Sequence, residues 1–308
     1  PTLNSTIAAL RKNSGCTDND INSFDFSTGP PTPRNTSSPR NPCNLADDLD
    51  FFTRQHYLDF LNRQPDAAGL AHWKNTVLSC GEDAACAEVR RINLSAAFFL
   101  SIEHQESGYL VYRAYKAAYG NIPGAPVPLR FTEFLPDSQL IGRNLVVGLP
   151  GWEQLLENNK VAFFQDFVTR SRFTSAFPTS LSPADFVDAL FANAGVTPSA
   201  SDRTAAIGEF GGAGNTSDAA ARARAVRRVA ENSTLRQQEL NRAFVLMQYF
   251  GYLRRNPDDV GFNGLPDPNF DGFNFWLNKL NAFNGNFIEA EMVKAFISSI
   301  EYRQRFGP

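Results

Sequence analysis

The chain has 308 residues, 43% hydrophobic and 20% charged, enough to bury a sizeable core in one large or two ordinary domains. A net charge of −3 leaves no basic footprint, so nucleic acid is not an expected partner. No run approaches the roughly 18 apolar residues that a bilayer-spanning helix needs, and the folded product is expected to be soluble.

Residues 1–45 differ from the rest. Pro30, Pro31, Pro33, Pro39 and Pro42 stand among Ser, Thr and Asn, and helical periodicity fades after Leu10. A segment of this composition cannot build its own core, which predicts an extended, mostly irregular arm. Its apolar groups, Leu3, Ile7, Leu10, Ile21, Phe24 and Phe26, read as pegs for pockets on another surface. The four cysteines fall at 16, 43, 80 and 86, with no Cys-x-x-Cys spacing and no clustered histidines, so a structural zinc site is not expected. One pair inside the arm and one in a short loop predict the disulfides Cys16–Cys43 and Cys80–Cys86; the alternative for the second pair is reduced, buried thiols. Two disulfides imply an oxidising, extracytoplasmic compartment. The start at Pro1 leads us to expect a removed export segment or the end of a longer polypeptide.

From Leu45 onward the pattern is helical. Asp47 and Asp48 cap a helix running through Leu61, with Tyr57, Phe60 and Leu61 on one face. Pro65 stops it, and Asp66 is placed to cap the next helix, Ala67 to Ser79, which carries Leu70 and Trp73. A third helix holds Val89, Ile92, Phe98, Phe99 and Ile102; Tyr109, Tyr112, Tyr115 and Tyr119 run down a fourth. Residues 122–136 read as a Pro-rich connector. Gly151-Trp152 opens another helix, and Ser182-Pro183-Ala184-Asp185 is a capping box with Pro at the first helical position. The Ala/Arg-rich stretch 219–230 reads as a surface helix with Arg222, Arg224, Arg227 and Arg228 on its solvated face. No segment alternates with period two, so almost no sheet is expected.

The corner after Tyr57 is written again near the C-terminus. Tyr252, Leu253, Arg255, Pro257 and Asp258 match Phe60, Leu61, Arg63, Pro65 and Asp66, and Gly272 and Trp276 match Gly69 and Trp73 after an insertion. The body then reads as four degenerate copies of one helical unit, over 46–106, 107–180, 181–240 and 241–308, grouped as domains 46–180 and 181–308. The expected fold is all-α: stacked degenerate helical repeats preceded by the arm, each unit gaining stability from its neighbour. Arg63 with Asp66, and Arg255 with Asp258, are expected ion pairs bracing the two corners, and Trp73 and Trp276 their apolar supports.

These residues carry a resemblance. The run Phe-Leu-Asn-Arg-Gln-Pro-Asp-Ala-Ala-Gly-Leu-Ala-His-Trp over 60–73, followed by Ser-Ala-Ala-Phe-Phe-Leu-Ser-Ile-Glu over 95–103, resembles a bacterial domain family of unknown function. That family is built on Arg-x-Pro-Asp-x-x-Gly-Leu-x-x-Trp repeats and occurs on secreted and cell-surface proteins. The helical linker modules of phycobilisomes carry a similar corner. The resemblance implies a helical fold and a secreted or surface location, and it brings no catalytic residues to transfer.

One loop has metal-ligand spacing. Asp267, Asn269 and Asp271, with the carbonyl of Phe273, follow the first half of a calcium loop, although Asn278 stands where a bidentate Glu would close it. The alternative is an Asx-turn in which Asp271 caps the Trp276 helix. Thr17-Asp18-Asn19-Asp20 is a second acidic turn. Signatures of metalloprotease, nucleophile-elbow, phosphate-loop and dinucleotide chemistry do not occur, so no catalytic residues are expected, and calcium is the single cofactor suggested. The leading expectation is a non-enzymatic extracellular structural subunit that assembles with copies of itself, as a filament or surface array, through its arm. The alternatives are a secreted binding or adhesion module for glycan or another exported protein, and an uncharacterised hydrolase.

Overall fold

The structure, a computed structural model, describes residues 3–12, 15–16, 21–33 and 43–307. Strand β1 (Ala8–Arg11) pairs antiparallel with β2 (Phe26–Gly29), Ala8 opposite Gly29 and Arg11 opposite Phe26, and a one-turn helix α1 (Asn22–Asp25) leads into β2. The Lys12 amide donates to the Asp25 carbonyl at 2.8 Å. The arm is thus less irregular than expected, because a hairpin satisfies its backbone locally where no core is available. Ile7, Leu10 and Phe26 are half-buried within it, whereas Leu3, Ile21 and Phe24 are exposed. The acidic turn at 17–20 lies outside the described residues.

In the body, Asn44 caps a 3-10 turn at Leu45–Asp47, and the Asp48 carboxylate accepts the Phe51 amide at 2.7 Å to start α2 (Leu49–Leu61). Asp66 takes the Gly69 amide at 2.8 Å and opens α3 (Ala67–Leu78). The Cys80–Cys86 disulfide closes the turn into α4 (Ala84–Leu100). Ser101 then breaks the expected third helix and caps α5 (Ile102–Glu106), which runs into α6 (Gly108–Tyr119). Next come α7 (Phe131–Ile141), α8 (Trp152–Phe167), α9 (Ser171–Ala176), α10 (Pro183–Ala194) and α11 (Ala200–Gly208). They are followed by α12 (Ala219–Ala230) and α13 (Ser233–Met247), which widens into a π-helical turn at Gln248–Leu253. The chain ends with α14 (Asp271–Ala282), α15 (Met292–Ile297) and α16 (Ile300–Gln304). Among the described residues no helix is long and apolar enough to cross a membrane.

Helix α6 is the centre, with α7, α10, α12 and α13 packed around it. Its tyrosines bury their rings and still find partners: Tyr109 donates to the Arg236 carbonyl, Tyr112 to Glu239 at 2.5 Å and Tyr115 to Asp137 at 2.9 Å. One apolar core runs through the whole body, and the expected boundary at 180/181 is crossed by α10 and α12 lying on α6.

Two sequence expectations need correction. The connector ends at Arg130, and Pro136 sits inside α7. The lost backbone bond, worth about 3 kcal/mol, is offset by the Glu133 cap on the Arg130 amide at 2.9 Å and the burial of Phe134 and Ile141. Helix α12 is a packed element, its Ala221, Ala225, Val226 and Val229 buried against α6 and α8. Arg222 is buried with them and donates to the Phe177 carbonyl at 2.5 Å, while Arg224 and Arg228 reach Glu209 and Arg227 reaches Glu157 at the surface.

The first and last helices close on each other. Phe60 lies 5.1 Å from Tyr252, Arg303 makes two bonds of 2.7 and 2.8 Å to Asp47, and Arg305 makes two of 3.0 Å to Asp59. The order of packing in space is therefore not the order of the expected units along the chain.

Candidate interaction site

The two corners present the same side chains in the same arrangement. At the first, Asn62 takes a left-handed conformation at φ 55°, the turn folds back, and Arg63 lays its guanidinium over the Tyr57 ring at 5.0 Å. Its Nε and Nη2 donate side-on to the two Glu103 oxygens at 2.7 and 2.8 Å. Tyr57 meets the edge of Phe98 at 4.8 Å, and Trp73 lies 6.0 Å from the same ring. The Ser101 hydroxyl donates to the Phe98 carbonyl and accepts the His104 amide. At the last corner Arg254 is left-handed at φ 56°, and Arg255 lies over Tyr249 at 5.4 Å and grips Glu301 at 2.6 and 3.0 Å. Tyr249 meets Phe296 at 5.2 Å, Trp276 lies 5.7 Å from it, and Ser299 bonds Phe296 and Tyr302 as Ser101 bonds Phe98 and His104.

Of the two expected corner ion pairs, Arg63 with Asp66 is present at 3.7 Å, although Arg63 gives its bidentate face to Glu103. Arg255 with Asp258 is corrected: Arg255 holds Glu301, and Asp258 pairs with Arg130. The planar Nε–Nη2 edge of a guanidinium matches the two oxygens of a carboxylate, and one Asp66 oxygen is already committed to its cap. Burial works against the Arg63 charge, but its bonds to Glu103 win, holding its pKa above the usual arginine value.

The loop with calcium-like spacing serves a helix start. One Asp267 oxygen accepts the Asp271 amide at 2.9 Å and the other the Gly272 amide at 2.8 Å. Asp267 is thus the capping group, and Asp271, assigned that role from sequence, is the first residue of α14. Phe273 is buried inside α14, while Asn269 and Asp271 are exposed. Among the described residues no three His, Cys, Asp or Glu side chains are gathered to hold a metal ion. The buried histidines are structural: His56 and His104 place Nδ1 at 2.7 and 3.2 Å from the Phe52 and Phe60 carbonyls.

Above the last corner the insertion 257–267 forms one wall of a cleft of about 500 Å³, whose floor is Tyr249, Arg255, Glu301 and Asp267. Above the first corner the cleft is about 190 Å³ and is narrowed by Val147. Glu301 and Asp267 share the larger cleft, yet each has both oxygens engaged, so neither is a free carboxylate for acid–base work. Sequence reading missed Glu103 and Glu301 as corner residues; the Phe-x-x-Ser-Ile-Glu run common to both was their signal. Cys16–Cys43 and Cys80–Cys86 are bonded in the expected pairing, consistent with an oxidising compartment. Compared with protein-family models, curated proteins and solved structures, the chain finds no match.

Proposed function

We propose that this chain is a non-enzymatic, extracellular structural subunit of a bacterial surface, assembling with copies of itself through its N-terminal arm. The observation that carries the reading is the arm's packing. Among the described residues its strands and short helix pack on one another, with at most marginal contact to a body helix, and Ile21 and Phe24 stay exposed. Apolar groups held out on an ordered hairpin are placed for a neighbour's surface. The engagement of both oxygens of Glu301 and of Asp267 on the cleft floor supports a structural role over a hydrolytic one, and the two disulfides support export. The matched corners support descent of the first and last units from one repeat, and the resemblance to surface-protein domains points the same way. Phe60 touching its own counterpart Tyr252 fits two such units paired face to face.

Sedimentation velocity and electron microscopy on the native protein test the reading. Concentration-dependent oligomers or filaments are expected, and deleting residues 1–43, which leaves no unpaired arm cysteine, is expected to weaken assembly. A wild type that stays monomeric at high concentration removes it. A second reading, a binding module for glycan or an exported protein, is favoured by the 500 Å³ cleft and its tyrosine floor; glycan-array binding lost on Tyr249→Ala would support that instead.

A further inference from the structure

We infer that the loop 258–267 of one molecule docks into the groove on the outer side of α2 and α3 of a second copy, forming a head-to-tail contact separate from the arm. The inference rests on the self-assembly reading above. The loop is the insertion that distinguishes the last corner from the first. It is set by its own hydrogen bonds: the Gly261 amide to the Leu265 carbonyl at 3.0 Å, Gly264 to Gly261 at 2.9 Å, and Asp267 to Asp258 at 3.2 Å. On this ordered turn Val260, Phe262 and Leu265 stand 59%, 54% and 65% exposed. Single exposed apolar residues are ordinary on a monomer, whereas a preorganised cluster of large ones marks a contact surface. Its exposed charges, Asp259 and Asp271, are both acidic, and no Lys or Arg lies between Arg255 and Lys279, while Asp258 is neutralised by Arg130.

The groove has the complementary character. It encloses about 580 Å³ and is walled by Pro65, Ala67, Leu70 and Leu78, with Arg54 and Lys74 at its edge. Both cations lean on the single carboxylate of Asp50, at 2.5 and 2.7 Å, so two positive charges share one negative and the rim stays positive. Helix α3 packs on α2 and α4, and Leu78 on its outer side is 62% exposed. An apolar turn with acidic flanks meets an apolar trough with a cationic rim, which favours desolvation at the centre and steering at the edge. Because the two surfaces differ, the contact is heterologous and each molecule keeps one free loop and one free groove, the condition for a ring or an open filament.

Intermolecular crosslinking in the full chain tests it, since every native cysteine is already in a disulfide. A Phe262→Cys chain is mixed with a Leu78→Cys chain under mild oxidation, and the control pairs Phe262→Cys with Val161→Cys, a 40% exposed site on α8. The loop–groove pair is expected to form heterodimers at least about tenfold faster than the control, and Lys74→Glu in the groove chain is expected to slow it. Equal rates for the two pairs, in a wild type that sediments as oligomers, overturn the docking and leave arm-mediated assembly standing. A monomeric wild type overturns the assembly reading itself. Phe262→Ser with Leu265→Ser supplies an independent readout: reduced oligomer size at an unchanged unfolding midpoint supports the contact, and unchanged size overturns it.

Discussion

Arg63 meets Glu103 through two hydrogen bonds, 2.7 and 2.8 Å long, across 40 residues of intervening chain. Glu103 is 4% exposed, so removing Arg63 strands a buried carboxylate. Arg63→Ala is expected to cost about 3 kcal/mol, read as a lower urea midpoint at unchanged slope. Arg63→Leu with Glu103→Leu together removes both charges and is expected to fall within about 1 kcal/mol of wild type. At the other corner the Glu301 side chain is 24% exposed, and solvent screening should hold the cost of Arg255→Ala to about 1–2 kcal/mol. Equal losses at the two corners would contradict this account of burial.

At Gly251 the last corner helix lies directly against Phe60 of the first. A Cβ there would lie 2.5 Å from the Phe60 ring, and that ring is wedged between His56, Phe98 and Tyr252. Gly251→Ala is expected to destabilise by about 1–3 kcal/mol through overpacking. Gly208, at the end of α11, faces open space, and Gly208→Ala is expected to stabilise by about 0.5–1 kcal/mol by restricting the unfolded chain. Thermal midpoints moving in opposite directions would verify the pair.

Local chemistry was legible in the sequence, and partners distant along the chain were not. Asp48, Asp66 and Ser182 cap where their neighbours demand it, because a cap needs only the next turn. Arg63 keeps the ion pair with Asp66 that nearness suggests, at 3.7 Å, but gives its two short hydrogen bonds to Glu103, which nearness could not show. Arg222 carries the composition of a surface helix and lies buried, since the alanines around it let α12 approach α6 closely. Pro136 signals a break on propensity alone, and the packing of Phe134 and Ile141 overrides it. The repeated corner could be read because its residues keep their spacing; the docking of the first corner onto the last could not, as it depends on ring shapes such as Phe60 against Gly251.

His56 and His104 make stability depend on pH. Burial holds both neutral, with pKa values lowered to about 3 and about 4. Nδ1 of each donates to a carbonyl while Nε2 has no partner, so a second ring proton would have no acceptor. Unfolded, each titrates near 6.5. Below that value the unfolded chain binds more protons, and stability falls as pH drops by up to about 1.4 kcal/mol per unit for each histidine. The loss continues down to the folded pKa values. Urea midpoints from pH 7 to pH 4 should therefore decline, and less steeply in His104→Leu than in wild type. Parallel declines would show that His104 is not the group responsible.

The two disulfides should separate the arm from the body. Cys80 and Cys86 are six residues apart at the head of α4, and closing so short a loop contributes about 2 kcal/mol on the chain-entropy estimate. Cys80→Ser with Cys86→Ser is expected to lower the unfolding midpoint of the body, where α4 packs on α2, α3 and α15. Cys16 and Cys43 close a longer loop, 27 residues apart, worth about 3–4 kcal/mol to whatever it orders. Since the arm's described elements pack on one another, that stabilisation is expected to stay within the arm. Cys16→Ser with Cys43→Ser is expected to leave the body's midpoint unchanged while the arm's amides lose hydrogen-exchange protection and its self-association weakens. A body midpoint that falls with the arm disulfide would mean that the hairpin is braced against its own helices, which removes the surface it is proposed to offer a neighbour.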